Sequence, residues 1–179
     1  MALTVHRLMQ RFYPADRPDA TQYFYAWVRR HAPADTVLLN LGAGGATGFP
    51  LQSLRGEVAR VVGADIDPIV LGNDEVDEAH VVDGRRLPFP DDWFGIVLVD
   101  FVFEHVEDPG GFVGEARRVL APGGSLFFRT PNRFHYSALI ASATPHRFHD
   151  RVANRVRRLP PSAGRPHPTR YRLLSLIHI

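Results

Sequence analysis

Cysteine and lysine are both missing from this chain of 179 residues. Without cysteine there is no disulfide and no thiolate-held metal, a pattern that fits a reducing compartment. Long apolar runs are missing as well. The longest, "IVLVDFVF", carries Asp100 in its middle and is far too short to span a bilayer. The first residues, "MALTVHRLMQRFYP", have no apolar core of the kind that marks a secretory signal. Internal repeats and low-complexity tracts are absent too. A soluble, cytoplasmic protein without a membrane span is therefore expected.

What remains is an ordinary globular composition, 45% hydrophobic and 22% charged, in a length suited to one domain with a real core. All 21 basic residues are arginine, and the net charge of +2 conceals an asymmetry. Residues 1–128 hold 11 Arg against 18 Asp and Glu, whereas residues 129–179 hold 10 Arg against Asp150 alone. A basic tail suits nucleic acid or an acidic surface, but no interleaved aromatics accompany it. The expected reading is a solvated helical face, with no nucleic-acid partner.

Along the chain, apolar strands alternate with helical patterns. "DATQYFYAWVRR", Asp19 to Arg30, predicts a helix with Phe24, Trp27 and Val28 on one face. Strands are expected at Thr36–Leu41, Arg60–Asp65, Ala79–Val82, Gly95–Asp100 and Ser125–Thr130. A short helix opened by Pro50 is expected after the first strand. A longer helix is expected over Pro109–Leu120, ended by "APGG". Phe112, Val113, Ala116, Val119 and Leu120 recur there at helical spacing. Further helices are expected over residues 133–143 and 148–159. Strand–helix alternation argues for a parallel sheet covered on both faces.

The loop after the first strand, within "VLLNLGAGGATG", packs four glycines into seven positions. Glycine lets the backbone approach a ligand closely, and a following helix start offers free N–H groups. The dinucleotide pattern G-x-G-x-x-G, counted from Gly42, needs glycine where Thr47 stands, so a nicotinamide oxidoreductase is the less favoured reading. Asp65 ends the second strand, where a carboxylate can accept from ribose hydroxyls. Asp83 and Gly84 follow the third, where a carboxylate beside a backbone N–H can read adenine. Asp100 and Phe101 leave the fourth strand at the same carboxyl edge.

The stretches "VLLNLGAGG", "VVGADIDP", "VVDGRRLPFPDDWF", "FVFEHVEDP" and "EARRVLAPGGSLFFRTPN" closely resemble, in order and spacing, the class I S-adenosylmethionine-dependent methyltransferases of the small-molecule type 11 branch. The resemblance covers about residues 35–135. It implies S-adenosylmethionine as cofactor and a small-molecule methyl acceptor. Gly42, Ala43 and Gly44 would wrap the methionine end, with Asn40 beside them. Asp65 and Ile66 would take the ribose side, and Asp83 with Gly84 the adenine. Asp100 and Phe101 complete the expected cofactor-binding set. Asn40 stands where the family usually has an acid, which removes a charge that helps to anchor the cofactor's ammonium. Gly95 stands where an Asp is usual, affecting a local turn.

The expected fold is α/β, a Rossmann-like three-layer sandwich with a mostly parallel central sheet that lacks the family's final antiparallel hairpin. The expected division is a helical segment at 1–34, the cofactor-binding core at 35–135, an incomplete acceptor region at 136–173, and a non-native tail, "LSLIHI", at 174–179. His105 in "FEHVED" is the catalytic candidate, either as a base for the acceptor or as a residue that orders the loop. Phe134, His135 and Tyr136 are expected either to line an acceptor pocket or to pack a helix onto the sheet. His146 and His149 have i,i+3 spacing but no third ligand nearby, so no metal is expected. A non-catalytic cofactor-binding or interaction domain is the alternative. Nucleic-acid methylation has no support from an "NPPY"-like or "DPPY"-like motif.

Overall fold

The computed structural model describes residues 20–130. The expected helices at 133–143 and 148–159, the residues Phe134, His135, Tyr136, His146 and His149, most of the basic segment and the 174–179 tail lie outside the described residues.

Five strands form one sheet: β1 (Val37–Leu41), β2 (Arg60–Asp65), β3 (Glu78–Val81), β4 (Phe94–Asp100) and β5 (Leu120–Arg129). Their order is β3-β2-β1-β4-β5, and every pairing is parallel. Successive side chains along a strand point to opposite faces, and the core divides accordingly. Leu38, Val61, Ile96 and Leu98 face one side; Leu39, Val62, Val97 and Val99 face the other. Helix α1 (Ala20–Arg30) covers the first face with Phe24, Tyr25 and Val28. Helix α2 (Pro109–Val119) covers the second with Ala116 and Val119. Burying such aliphatic side chains contributes about 1.5–3 kcal/mol each. The three-layer, mostly parallel architecture expected from the sequence is present.

Some details differ from expectation. On α1 the buried face holds Tyr25 rather than Trp27, which is 46% exposed. Trp27 instead sets its ring edge-on against Phe127, with centroids 4.8 Å apart. The short helix expected to open at Pro50 is present as a single 3-10 turn, Pro50–Gln52. β5 begins at Leu120, directly after α2, and not at Ser125. Leu120 pairs with Phe94 and Ser125 with Ile96, so "APGG" bulges out of the ladder instead of forming a separate stop. Gly124 and Gly95 meet at this bulge, where a Cβ on Gly124 would lie 2.9 Å from the Gly95 carbonyl oxygen. On α2, Val113 is 41% exposed, so the buried stripe is narrower than the spacing suggested.

Helix α2 starts on Asp108, whose carboxylate accepts from the Gly111 N–H at 3.1 Å, with Pro109 in the first turn. At its far end Arg118 donates to the Leu87 and Phe89 carbonyls and to Glu115 and Asp91, tying the helix to the segment before β4. The Arg118 guanidinium, joined by the Leu87 N–H, holds the Glu115 carboxyl down to about 2. That value lies below the ordinary 4.5, so the pair's stabilisation is complete above 4.5 and is lost as pH falls toward 2. Glu115→Gln is expected to flatten the acid limb of stability in that window, read from urea midpoints at several pH values.

Candidate functional site

Because all five strands run the same way, their carboxyl ends share one rim, the edge where open α/β sheets bind ligands. At the end of β1 the chain enters the glycine loop with Gly42 at φ +83° and Gly44 at φ +55°, the left-handed region that glycine tolerates. A Cβ on Gly42 would overlap Val102 Cγ2, whereas one on Gly44 would meet nothing within 4 Å. Gly44 therefore faces open space above the loop.

The loop's first N–H groups are already engaged within the protein. Gly42 and Ala43 both donate to the Ala64 carbonyl, at 2.7 and 3.2 Å. Gly44 N–H donates to Asp65 Oδ2 at 2.8 Å, and Asp67 N–H donates to Asp65 Oδ1 at 2.8 Å. Asp65 thus clips the loop to the end of β2 while keeping further lone pairs on both oxygens. No α-helix follows the loop to supply others, because the chain makes only the 3-10 turn Pro50–Gln52. What the loop offers a ligand is close approach.

A cavity of about 300 Å³ opens over the ends of β1, β4 and β5. It is lined by Asn40, Gly42, Ala43, Asp100 and Phe101 from the expected set, and by Thr21, Tyr25, Thr47, Gln52, Glu75 and Arg129, which sequence reasoning missed. At its wall Arg129 grips Asp100 with two bonds of 2.6 Å and reaches Thr21 Oγ1 at 2.7 Å. Tyr25 donates its hydroxyl to Asp100 Oδ2 at 3.0 Å. Burial, reinforced by the Asp100 charge, raises the Tyr25 phenol well above its ordinary value, so it stays a donor at neutral pH. The Arg129 guanidinium lies 4.4 Å from the Phe101 ring centroid and 5.1 Å from that of Phe24. Phe101 itself holds φ +56°, rare for a bulky residue, and its N–H donates to the Arg129 carbonyl at 2.8 Å.

Ile66, Asp83 and Gly84 lie off this cavity, along the ends of β2 and β3. Ile66 is 60% exposed and close to Gly84, where a Cβ would meet Ile66 Cγ2 at 3.3 Å. Asp83 is fully exposed, and the Arg85 and Arg86 N–H groups lower its carboxyl below the ordinary range. The rim therefore has two parts: a polar cavity over β1, β4 and β5, and an open shelf over β2 and β3. His105 ends the short turn Phe103–His105 beyond β4 and is not among the residues lining the cavity. The neighbouring Glu104 carboxyl is raised by burial. No cluster of potential metal ligands occurs among the described residues.

The chemistry of the rim fits an adenosyl sulfonium amino acid. Two acidic side chains, Glu75 and Asp100, and one basic one, Arg129, line the cavity, an acidic excess that suits a ligand with one net positive charge. The cavity's size suits the amino-acid end. The shelf leaves Ile66 exposed next to Gly84, with an exposed carboxylate at Asp83.

Comparison with known proteins bears on the family and the fold. The family described as "Methyltransferase domain" matches residues 39–128. A Mycolicibacterium smegmatis protein named "Probable S-adenosylmethionine-dependent methyltransferase" is 34% identical, covering 72% of this chain and 54% of its own length. A demethylmenaquinone methyltransferase of Clavibacter sepedonicus is 36% identical over 59% of this chain and 47% of its own length. The chain thus spans about half the length of the curated relatives it matches. A crystal structure of a SAM-dependent methyltransferase from Aquifex aeolicus superposes with a TM-score of 0.51 at 20% identity, covering 75% of each chain. That likeness concerns the fold.

Proposed function

The chain belongs to the class I S-adenosylmethionine-dependent methyltransferases, and from that membership we propose that the whole protein methylates a small-molecule acceptor. The single observation that carries the reading is the convergence on one rim of the glycine loop, clipped by the Asp65 carboxylate, and the Asp100–Phe101 strand end, with a cavity lined by Asn40, Gly42, Ala43, Asp100 and Phe101.

S-adenosylmethionine, when bound, supplies an electrophilic methyl group on a sulfonium that leaves as a neutral thioether. The protein's part is placement, and holding reactants in line lowers such barriers by roughly 7–11 kcal/mol. Asn40, Gly42, Ala43 and Gly44 receive the amino-acid end, Asp65 the ribose hydroxyls, and Ile66 with Asp83 and Gly84 the base. Asp100 and Phe101 form the wall toward the acceptor. His105, just beyond β4, is the base for an acceptor that must lose a proton. A quinone-like ring is the first acceptor to assay, since one relative is named for demethylmenaquinone.

Titration calorimetry tests the reading. Binding of S-adenosylmethionine and S-adenosylhomocysteine but not NAD supports it; NAD binding alone overturns it. Asp65→Ala is expected to weaken S-adenosylhomocysteine binding by about 1–3 kcal/mol, the loss of a charged acceptor. Unchanged affinity in that variant would mean that Asp65 serves only the loop.

A further inference from the structure

The connection from β2 to β3, residues 66–77, holds no α-helix. Its only regular element is the short 3-10 turn Pro68–Gly72, started by Asp67, which accepts from the Ile69 N–H at 3.0 Å. The chain leaves that turn at Asn73 and passes directly beside the glycine loop. Asn73 is 7% exposed, one of two buried polar residues among those described. A buried amide needs partners for both its ends, and Asn73 finds them in the loop and in the turn that follows. Its Nδ2 donates to the carbonyls of Ala43 and Gly44, at 3.2 and 3.1 Å. Its Oδ1 accepts from the Glu75 N–H at 2.9 Å. Glu75 in turn accepts from the Gly48 N–H at 2.8 Å and from the Thr47 hydroxyl at 3.0 Å. Thr47 Oγ1 also accepts from the Phe49 N–H at 3.1 Å.

We propose that Asn73 and Glu75 are positioning residues that hold the glycine loop, from Ala43 to Gly48, in the one conformation that receives the amino-acid end of S-adenosylmethionine; the proposal rests on the functional reading above. Glycine has wide conformational freedom, and a loop with Gly42, Gly44, Gly45 and Gly48 samples many shapes unless its polar groups are tied down. Asp65 fixes the loop by its donors on one side. Asn73 fixes it by its acceptors on the other, and Glu75 fixes its far end. A loop already ordered before the ligand arrives loses less entropy on binding, which raises affinity without a direct contact. Asn73 therefore acts on cofactor affinity through the loop.

The test combines S-adenosylhomocysteine calorimetry with amide hydrogen exchange of residues 43–48 in the ligand-free protein. Asn73→Ala and Glu75→Ala are each expected to weaken binding about tenfold and to speed loop exchange by a similar factor, while exchange in β1 and β4 stays unchanged. Glu75 also lines the cavity, but S-adenosylhomocysteine carries no net charge, so Glu75→Gln, which keeps an acceptor for the Gly48 N–H, is expected to restore affinity to within about threefold. Glu75 is only half-buried, so its variants remain informative if Asn73→Ala unfolds. Faster exchange with unchanged affinity, or a Glu75→Gln variant as weak as Glu75→Ala, overturns the proposal. Failure of the unsubstituted protein to bind S-adenosylhomocysteine removes the functional reading itself, a result distinct from either.

Discussion

Arg129→Met is expected to lower unfolding stability by about 2–4 kcal/mol, a large effect for a residue at the end of a strand. Asp100 and Arg129 are only 15% and 13% exposed in their side chains. Removing the guanidinium leaves Asp100 with the Tyr25 hydroxyl as its remaining side-chain donor. Breaking such a pair is destabilising because the remaining charge stays desolvated, with a modest discount here for the residual exposure. Further contacts go with it: the bond to Thr21 that fastens the start of α1, and the approach to the Phe101 and Phe24 rings. Urea unfolding of Arg129→Met, Asp100→Asn and the double variant reads the effect. The double variant is expected to be less destabilised than the sum of the two singles, because neither charge is then left alone. A loss below about 1 kcal/mol in Arg129→Met would mean that solvent screens the pair.

Gly42→Ala is expected to lower stability by about 2–5 kcal/mol, for two reasons that add. The left-handed backbone at φ +83° costs a side-chain-bearing residue about 1–2 kcal/mol. The new Cβ would also overlap Val102, and overpacking of that kind costs about 1–3 kcal/mol. Gly44→Ala is the control. It has φ +55° but open space, so about 1–2 kcal/mol of backbone strain is all it should show. Equal losses at the two positions, measured by urea denaturation, would mean that Val102 moves aside without cost.

These two positions mark what sequence reading reached and what it did not. The strands were legible because apolar runs covered on both faces have little else to become; Arg60–Asp65 is observed with the bounds the sequence suggested. The glycine loop and its neighbours at the strand ends followed from the same pattern, since a parallel sheet brings every carboxyl end to one rim. Arg129 and Thr21 are 108 residues apart, and Tyr25 and Asp100 are 75 apart. No local spacing links them, and only the strand order joins them. Tyr25 displaced Trp27 from the buried face of α1 because its hydroxyl had a carboxylate to reach, a fact that hydrophobic periodicity does not encode. Asn73 reads as a turn residue in "GNDEV", and nothing nearby in sequence says that its amide reaches back to Ala43 and Gly44. The start of β5 was placed late because Pro and Gly in "APGG" signal a break, whereas the structure accommodates them as a bulge.

A crystal structure with S-adenosylhomocysteine bound tests the central claim most directly. The account predicts the amino-acid end in the cavity beside Asn40 and Gly42, ribose hydroxyls on the Asp65 carboxylate, and the base between Ile66 and Asp83. A nucleoside bound away from that rim, or one that leaves Asp65 and Asp83 without contact, would contradict it.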